Sequence, residues 1–241
     1  MPLPALIWAP SAKIRPIENV TTVNGNPRSP PNPKGNEILK QFVLLGDSVF
    51  DNAAYVEPHT AVLDHLNQSL PQGWSPLLKA RDGAVIADVK NQVEELDGTS
   101  AFIALSVGGN DALQVSHLLE TPVTCVASAL AVLHAAQAAF QERYDELLHQ
   151  LAVVECPVSV CTIYNAPLFD TDEENKAVVP AISLFNDAIT RSARRHGFSV
   201  IELRDIFTEK ADFAPVSPIE PSAQGGRKLA ERLAAVCKSL P

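Results

Sequence analysis

The sequence predicts an α/β domain: a three-layer, flavodoxin-like sandwich with five mostly parallel strands in the order 2-1-3-4-5 and helices on both faces. Three observations carry this. Short apolar runs recur from Phe42 onward, segments with helical spacing separate them, and such alternation implies right-handed crossovers packed on both sides of one sheet. The chain has 241 residues, nearly half of them hydrophobic and a fifth charged. That is enough for one sizeable domain with a real core.

The first strand is Phe42-Val-Leu-Leu45, a continuous apolar run of the kind covered on both faces. It ends in Gly46-Asp47-Ser48, where glycine lets the backbone turn sharply. Val62, Leu63 and Leu66 then form one face of a helix over residues 60–70, stopped by Pro71-Gln-Gly73. Trp74 to Ala80 reads as the second strand. After the Asp82-Gly83 turn, Val85, Ile86, Val89 and Val93 recur at helical spacing up to Leu96. The third strand, Ala101 to Val107, runs into Gly108-Gly109. Residues 123–154 are alanine-rich and amphipathic, one long helix or two with a kink near Ala138.

The fourth strand spans Val158 to Tyr164, and a helix over about 176–195 follows, with Pro180 admitted near its first turn or at a kink. Phe198 to Leu203 is the fifth strand, and the last helix runs from Ala223 to about Leu240. In the order 2-1-3-4-5 the topological switch point lies between strands one and three, where open parallel sheets bind their ligands. The ends of those two strands, Gly46-Asp47-Ser48 and Gly108-Gly109-Asn110-Asp111, are therefore expected in one crevice.

Residues 1–38 are read as a flexible arm, because Asn24 to Gly35 is dense in Pro, Asn and Gly. Residues 39–241 form the domain. With 19 Lys and Arg against 28 Asp and Glu, the net charge of −9 disfavours a nucleic acid partner. No run reaches the ~18 apolar residues of a membrane span. The leader lacks both a basic segment and a long apolar segment, so a cytoplasmic location is expected. Cys125, Cys156, Cys161 and Cys237 have neither disulfide nor zinc spacing and read as buried free thiols. No cofactor and no metal is expected.

Two motifs carry a resemblance. Gly46-Asp47-Ser48-Val49 resembles the Gly-Asp-Ser-Leu block of the SGNH/GDSL hydrolases, and Gly108-Gly109-Asn110-Asp111 resembles their Gly-x-Asn-Asp block. The resemblance covers about residues 40–240. It implies that Ser48 is the nucleophile and that the Ser48 amide and the Asn110 side chain are oxyanion donors. Gly83 matches the intermediate glycine block more weakly and reads equally well as a turn glycine. Asn110 also suits a helix N-cap, a role compatible with oxyanion binding. Asp47, Gly109 and Asp111 fall in the same blocks and are assigned to the substrate side, with Asp47 also supporting its turn through backbone amides. Asp51 and Asn52 shape the loop that follows.

The last block of that superfamily, Asp-x-x-His-Pro, is altered here. The matching stretch is Ser217-Pro-Ile-Glu220-Pro221, with Ser217 in place of the aspartate and Glu220 in place of the histidine. His196 sits at a solvated helix end, His134 and His149 lie within a helix, and His59, His65 and His117 are nearer the crevice. Glu220, desolvated between Ile219 and Pro221, is the candidate base; otherwise it is an acceptor for backbone amides. Gly-Asp-Ser-Val-Phe-Asp-Asn, Ser-Val-Gly-Gly-Asn-Asp, Cys-Thr-Ile-Tyr and Ile-Glu-Pro-Ser are also similar to a bacterial-type branch of these hydrolases. That likeness implies that Glu220 belongs to a design. The expected activity is hydrolysis of small or acyl carboxylic esters through an acyl-Ser48 intermediate. The alternatives are a catalytically weakened protein of the same fold that binds small molecules or carbohydrate, and an acyltransferase using the same serine.

Overall fold

A computed structural model describes residues 39–166 and 172–239; the expected N-terminal arm lies outside them. Five parallel strands, β1 (Lys40–Gly46), β2 (Trp74–Leu78), β3 (Ser100–Ser106), β4 (Val158–Cys161) and β5 (Ser199–Ile201), form one sheet in the order β2-β1-β3-β4-β5. The predicted order is the observed one. Pro76 is accommodated because β2 is an edge strand.

Strand periodicity sorts the core into two halves. Phe42 and Leu44 of β1, with Phe102 and Ala104 of β3, face α1 (Val62–Ser69) and α6 (Ala223–Lys238), where Val62, Leu66, Leu229 and Leu233 are fully buried. Val43, Leu45, Ile103 and Leu105 point the other way. They pack on α2 (Ile86–Glu94), α4 (Val126–Leu151) and α5 (Asp172–Arg195) through Ile86, Val89, Phe140, Tyr144, Leu147, Phe185 and Ile189. Each fully buried Leu, Val, Ile or Phe contributes roughly 1.5–3 kcal/mol. The continuous apolar run in β1 therefore has a simple cause: both its faces are interior.

Several expectations need correction. Residues 126–151 form one helix, whose buried residues begin only at Phe140. The next helix starts at Asp172 and so runs through Pro180, at the cost of one backbone hydrogen bond. Cys161 and Cys237 are buried, but Cys125 is exposed and Cys156 half-buried. A short helix α3 (Gly109–Gln114) follows β3 directly. The stretch before α6 is a strand, β7 (Ser217–Pro221), paired antiparallel with β6 (Phe213–Ala214) in a separate two-stranded sheet. Among the described residues no helix is long and apolar enough to cross a membrane.

The tightest backbone approach lies at the end of β1. Gly46 has φ +132°, and a Cβ there would sit 1.7 Å from the Ser106 carbonyl oxygen. Gly46→Ala is expected to remove more than ~4 kcal/mol of stability, because both backbone conformation and strand spacing forbid the methyl group. Gly98→Ala, also at positive φ (+77°) but with open space around it, should cost only about 1–3 kcal/mol. Urea unfolding of the two variants checks the contrast.

Candidate active site

The carboxyl ends of β1 and β3 lie side by side, with Gly46 in register with Ser106. The Asp47 amide donates to the Ser106 carbonyl (3.0 Å), and the Phe50 and Asp51 amides donate to the Asp47 carbonyl (3.2 and 3.1 Å). Ser48 thus occupies a tight turn anchored on both sides. Beneath it, Gln92 exchanges two hydrogen bonds with the Gly46 backbone: Gly46 N donates to Gln92 Oε1 (2.8 Å), and Gln92 Nε2 donates to the Gly46 carbonyl (2.9 Å).

At the neighbouring strand end, Gly108 rather than Asn110 is the N-cap of α3, and its φ of +122° turns the chain into the helix. Asn110 is the second residue of the helix, in its first turn. Its Nδ2 donates to the Ala84 carbonyl (3.0 Å), joining it to the loop that carries Gly83. Gly83 is exposed at φ +75°. Asp111 is buried, and its carboxylate is committed to the scaffold: it accepts from the Ile86 amide (3.1 Å) and faces Arg143 (3.6 Å). Gly109, half-buried, opens α3.

Glu220 arrives on β7 from the far end of the sequence. Tyr164 donates its hydroxyl to the Ile219 carbonyl, and Asn52 Nδ2 donates to the Pro221 carbonyl (3.1 Å). The same Asn52 accepts from the Val62 amide (2.9 Å) through Oδ1, so one buried carboxamide ties the Ser48 loop to β7 and to the start of α1. Asp212 anchors the base of the hairpin. It is fully buried and accepts from the Thr208 and Glu209 amides (3.0 and 2.9 Å), Gln224 (3.0 Å) and Lys228 (2.7 Å).

These constraints bring the Ser48 hydroxyl within hydrogen-bonding reach of Glu220, where it acts to lower the carboxyl's pKa. No well-aligned bond is formed, a looseness common in sites without substrate. Burial outweighs it: Glu220 is 5 % exposed, its Oε2 has no partner, and its pKa is raised to about 7. Asp47, 3 % exposed, is raised to about 8, first by burial and then by the nearby Glu220, although the Val49 amide donates to its Oδ1 (3.2 Å). Sequence reading missed Gln92, Tyr55 and Asp82. Gln92 left a signal, a polar residue three positions after Val89 beside an apolar helical stripe. Tyr55 donates to Asp82 Oδ2 (2.7 Å), whose amide donates to Asp51 Oδ2 (3.0 Å). A cleft of about 430 Å³ lies beside this loop, between Gly83 and Gln92. Of the three histidines expected nearer the crevice, His59 and His117 are exposed, and the partly buried His65 has an unpartnered Nε2 on α1. Among the described residues no three His, Cys, Asp or Glu side chains are grouped to hold a metal.

Both raised carboxyls bear on stability. A folded-state value above the unfolded one gives stability that is complete below the unfolded value, 3.8 for Asp47 and 4.5 for Glu220, and lost as pH rises through about 8 and about 7. Asp212 and Glu202, whose values are lowered, act below that window. The urea midpoint should therefore fall between about pH 5 and about pH 9, by an amount on the order of a few kcal/mol. Asp47→Asn and Glu220→Gln should each flatten the fall, which urea titrations across that range will show.

Neither a family model nor a curated protein matches the chain by sequence. Solved structures do match. A phospholipase A1 from Streptomyces albidoflavus aligns with TM-score 0.62 at 20 % identity over 84 % of this chain and 100 % of its own. An extracellular lipase from Streptomyces rimosus gives 0.61 at 18 % identity over 82 % and 99 %. A member of the lipolytic G-D-S-L family from Veillonella parvula gives 0.61 at 15 % over 83 % and 100 %. Strand order and these alignments together show that this chain has the fold of those lipolytic proteins.

Proposed function

We propose that the protein is a serine-dependent carboxylic ester hydrolase of the SGNH/GDSL type, with Ser48 as nucleophile and Glu220 as base. The observation that carries this reading is the meeting of Ser48 with a buried, partner-poor carboxyl whose pKa of about 7 gives it histidine-like basicity. An ordinary glutamate near ~4.3 is too weak a base for a serine hydroxyl. Here desolvation supplies the missing basicity, the role that His plays with its natural value.

In the reaction, Ser48 Oγ attacks the ester carbonyl carbon as its proton passes to Glu220. The carbonyl oxygen becomes an oxyanion facing the Ser48 amide and Asn110. Asn110 Nδ2 carries two hydrogens, and the one not given to Ala84 is available to the oxyanion. Such a donor is typically worth ~3 kcal/mol in the transition state. Gly83, on the loop to which Asn110 is bonded, is the candidate third donor. Collapse of the intermediate breaks the C–O bond, and Glu220 returns the proton to the departing alcohol. Water then attacks the acyl carbon, giving a proton to Glu220, and as the C–O bond to Ser48 breaks Glu220 returns that proton to Ser48 Oγ, releasing the acid.

A fluorophosphonate should label Ser48, and short-chain p-nitrophenyl esters should be hydrolysed, with both signals lost in Ser48→Ala. Glu220→Gln, nearly isosteric, should keep the fold and lower kcat/KM by ~10²–10⁴. The wild-type profile should rise through a single ionisation near about 7. Full turnover in Glu220→Gln would remove Glu220 from the mechanism, and absence of labelling between pH 6 and 9 would remove Ser48.

A further inference from the structure

The carboxyl groups around Ser48 are uncompensated. Asp51, Asp82 and Glu220 act together on Tyr55, and Asp82 also acts on Glu220. Two contacts fix the rim of this cluster: Tyr55 donates to Asp82 Oδ2 (2.7 Å), and the Asp82 amide donates to Asp51 Oδ2 (3.0 Å). The turn Ala53–Tyr55 packs against β7, which brings Tyr55 and Asp82 beside Glu220. Among the described residues no Lys or Arg pairs with Asp47, Asp51, Asp82 or Glu220. The nearby cations are engaged elsewhere: Arg81 and Lys79 face Glu95 (3.4 and 3.5 Å), and Arg143 faces Asp111 (3.6 Å). A second, independent feature points to a ligand. Glu220, whose carboxyl is acted on by the Ser48 hydroxyl, is 5 % exposed and has an Oε2 without a hydrogen-bond partner.

A mouth lined by one sign of charge concentrates ions of the opposite sign and repels those of its own. We propose that the site selects esters bearing a positive charge, such as an ammonium group on the alcohol or acyl part, with Asp82, fixed by Tyr55, as the specificity-determining carboxylate. This rests on the reading of Ser48 as nucleophile. Behind the rim, Glu220 adds a second carboxylate to the field such a cation meets. Anionic esters meet repulsion from the same groups.

Two isosteric pairs test it: acetylcholine against 3,3-dimethylbutyl acetate, and the p-nitrophenyl ester of betaine against p-nitrophenyl 3,3-dimethylbutanoate. In each pair a trimethylammonium group replaces a tert-butyl group, so charge is the main difference once hydroxide reactivities are divided out. The kcat/KM ratio should favour the cation by roughly 10-fold or more at low ionic strength in at least one pair. It should fall toward one at about 0.5 M salt. Asp82→Asn and Tyr55→Phe should lower the ratio several-fold, whatever happens to the separate rates. A neutral ester turned over through Ser48 with no cation preference in either pair, or a preference indifferent to Asp82→Asn, overturns the proposal while leaving the hydrolase reading intact. Should no ester be turned over, the hydrolase reading falls, and calorimetric binding of choline against 3,3-dimethylbutanol decides the charge selection: tighter choline binding sustains it, and equal or absent binding overturns it.

Discussion

One buried carboxamide holds the candidate site together. Asn52, fully inaccessible, donates to the Pro221 carbonyl and accepts from the Val62 amide. The loop after Ser48, the strand bearing Glu220 and the first turn of α1 share that single side chain. Both its polar ends are satisfied by backbone, which makes the arrangement specific: a carboxamide has one acceptor end and one donor end, and neither carbonyl nor amide could be swapped without leaving a buried group unpaired. Gly226 closes in on the same spot, since a Cβ there would lie 3.7 Å from Asn52 Nδ2 and 3.2 Å from a Val62 methyl.

Around this junction the molecule tolerates what a core usually excludes. Asp47 and Glu220 are acids held above the usual range chiefly by burial, with Glu220 adding to the rise at Asp47 and Asp82 to that at Glu220, and among the described residues no Lys or Arg pairs with either. Elsewhere the fold handles acids conventionally. Asp212, also buried, receives two amides, a glutamine and a lysine, and its carboxylate is held below the usual range. The same chemical group is thus a charged anchor at Asp212 and a group held above its usual pKa at Glu220, both beside the Phe213–Pro221 pair of the hairpin. Supply of hydrogen-bond donors decides which. Pairs of groups pushed to unusual values by their surroundings are a mark of sites that move protons.

Much of this was legible in the residues. The run Phe42–Leu45 announced a strand buried on both faces, and the helical spacing around Val62–Leu66 and Val85–Val93 placed the crossovers. Sheet order then followed from connection handedness. What stayed hidden depends on distant partners. The pairing of β6 with β7 has no periodicity to betray it, because Ser217-Pro-Ile-Glu-Pro carries two prolines and sits beside a two-residue strand. Asn52 reads locally as a loop former, while its partner Pro221 lies 169 positions away. The N-cap alternative for Asn110 fails for a similar reason: Gly108 takes the cap, and the Asn110 carboxamide gives one hydrogen to Ala84 across the loop. Cys125 lies at the start of α4, in whose first half Ala127, Ala131 and Ala135 look like core in sequence yet are exposed among the described residues.

The separation of β7 from the main sheet has a consequence for how the molecule loses its competence. Ser48 follows β1, a strand paired on both sides within the main sheet and among the last backbone to open, whereas Glu220 hangs on a two-stranded ribbon fastened by side chains: Asn52, Tyr164, Ser222 and Asp212. Ribbons of that size open at lower free energy than central strands. The chain can therefore part Glu220 from Ser48, one half of the proposed pair from the other, while its sheet, helices and circular dichroism stay intact, and amide exchange in residues 213–221 would report that event where a global melt would not.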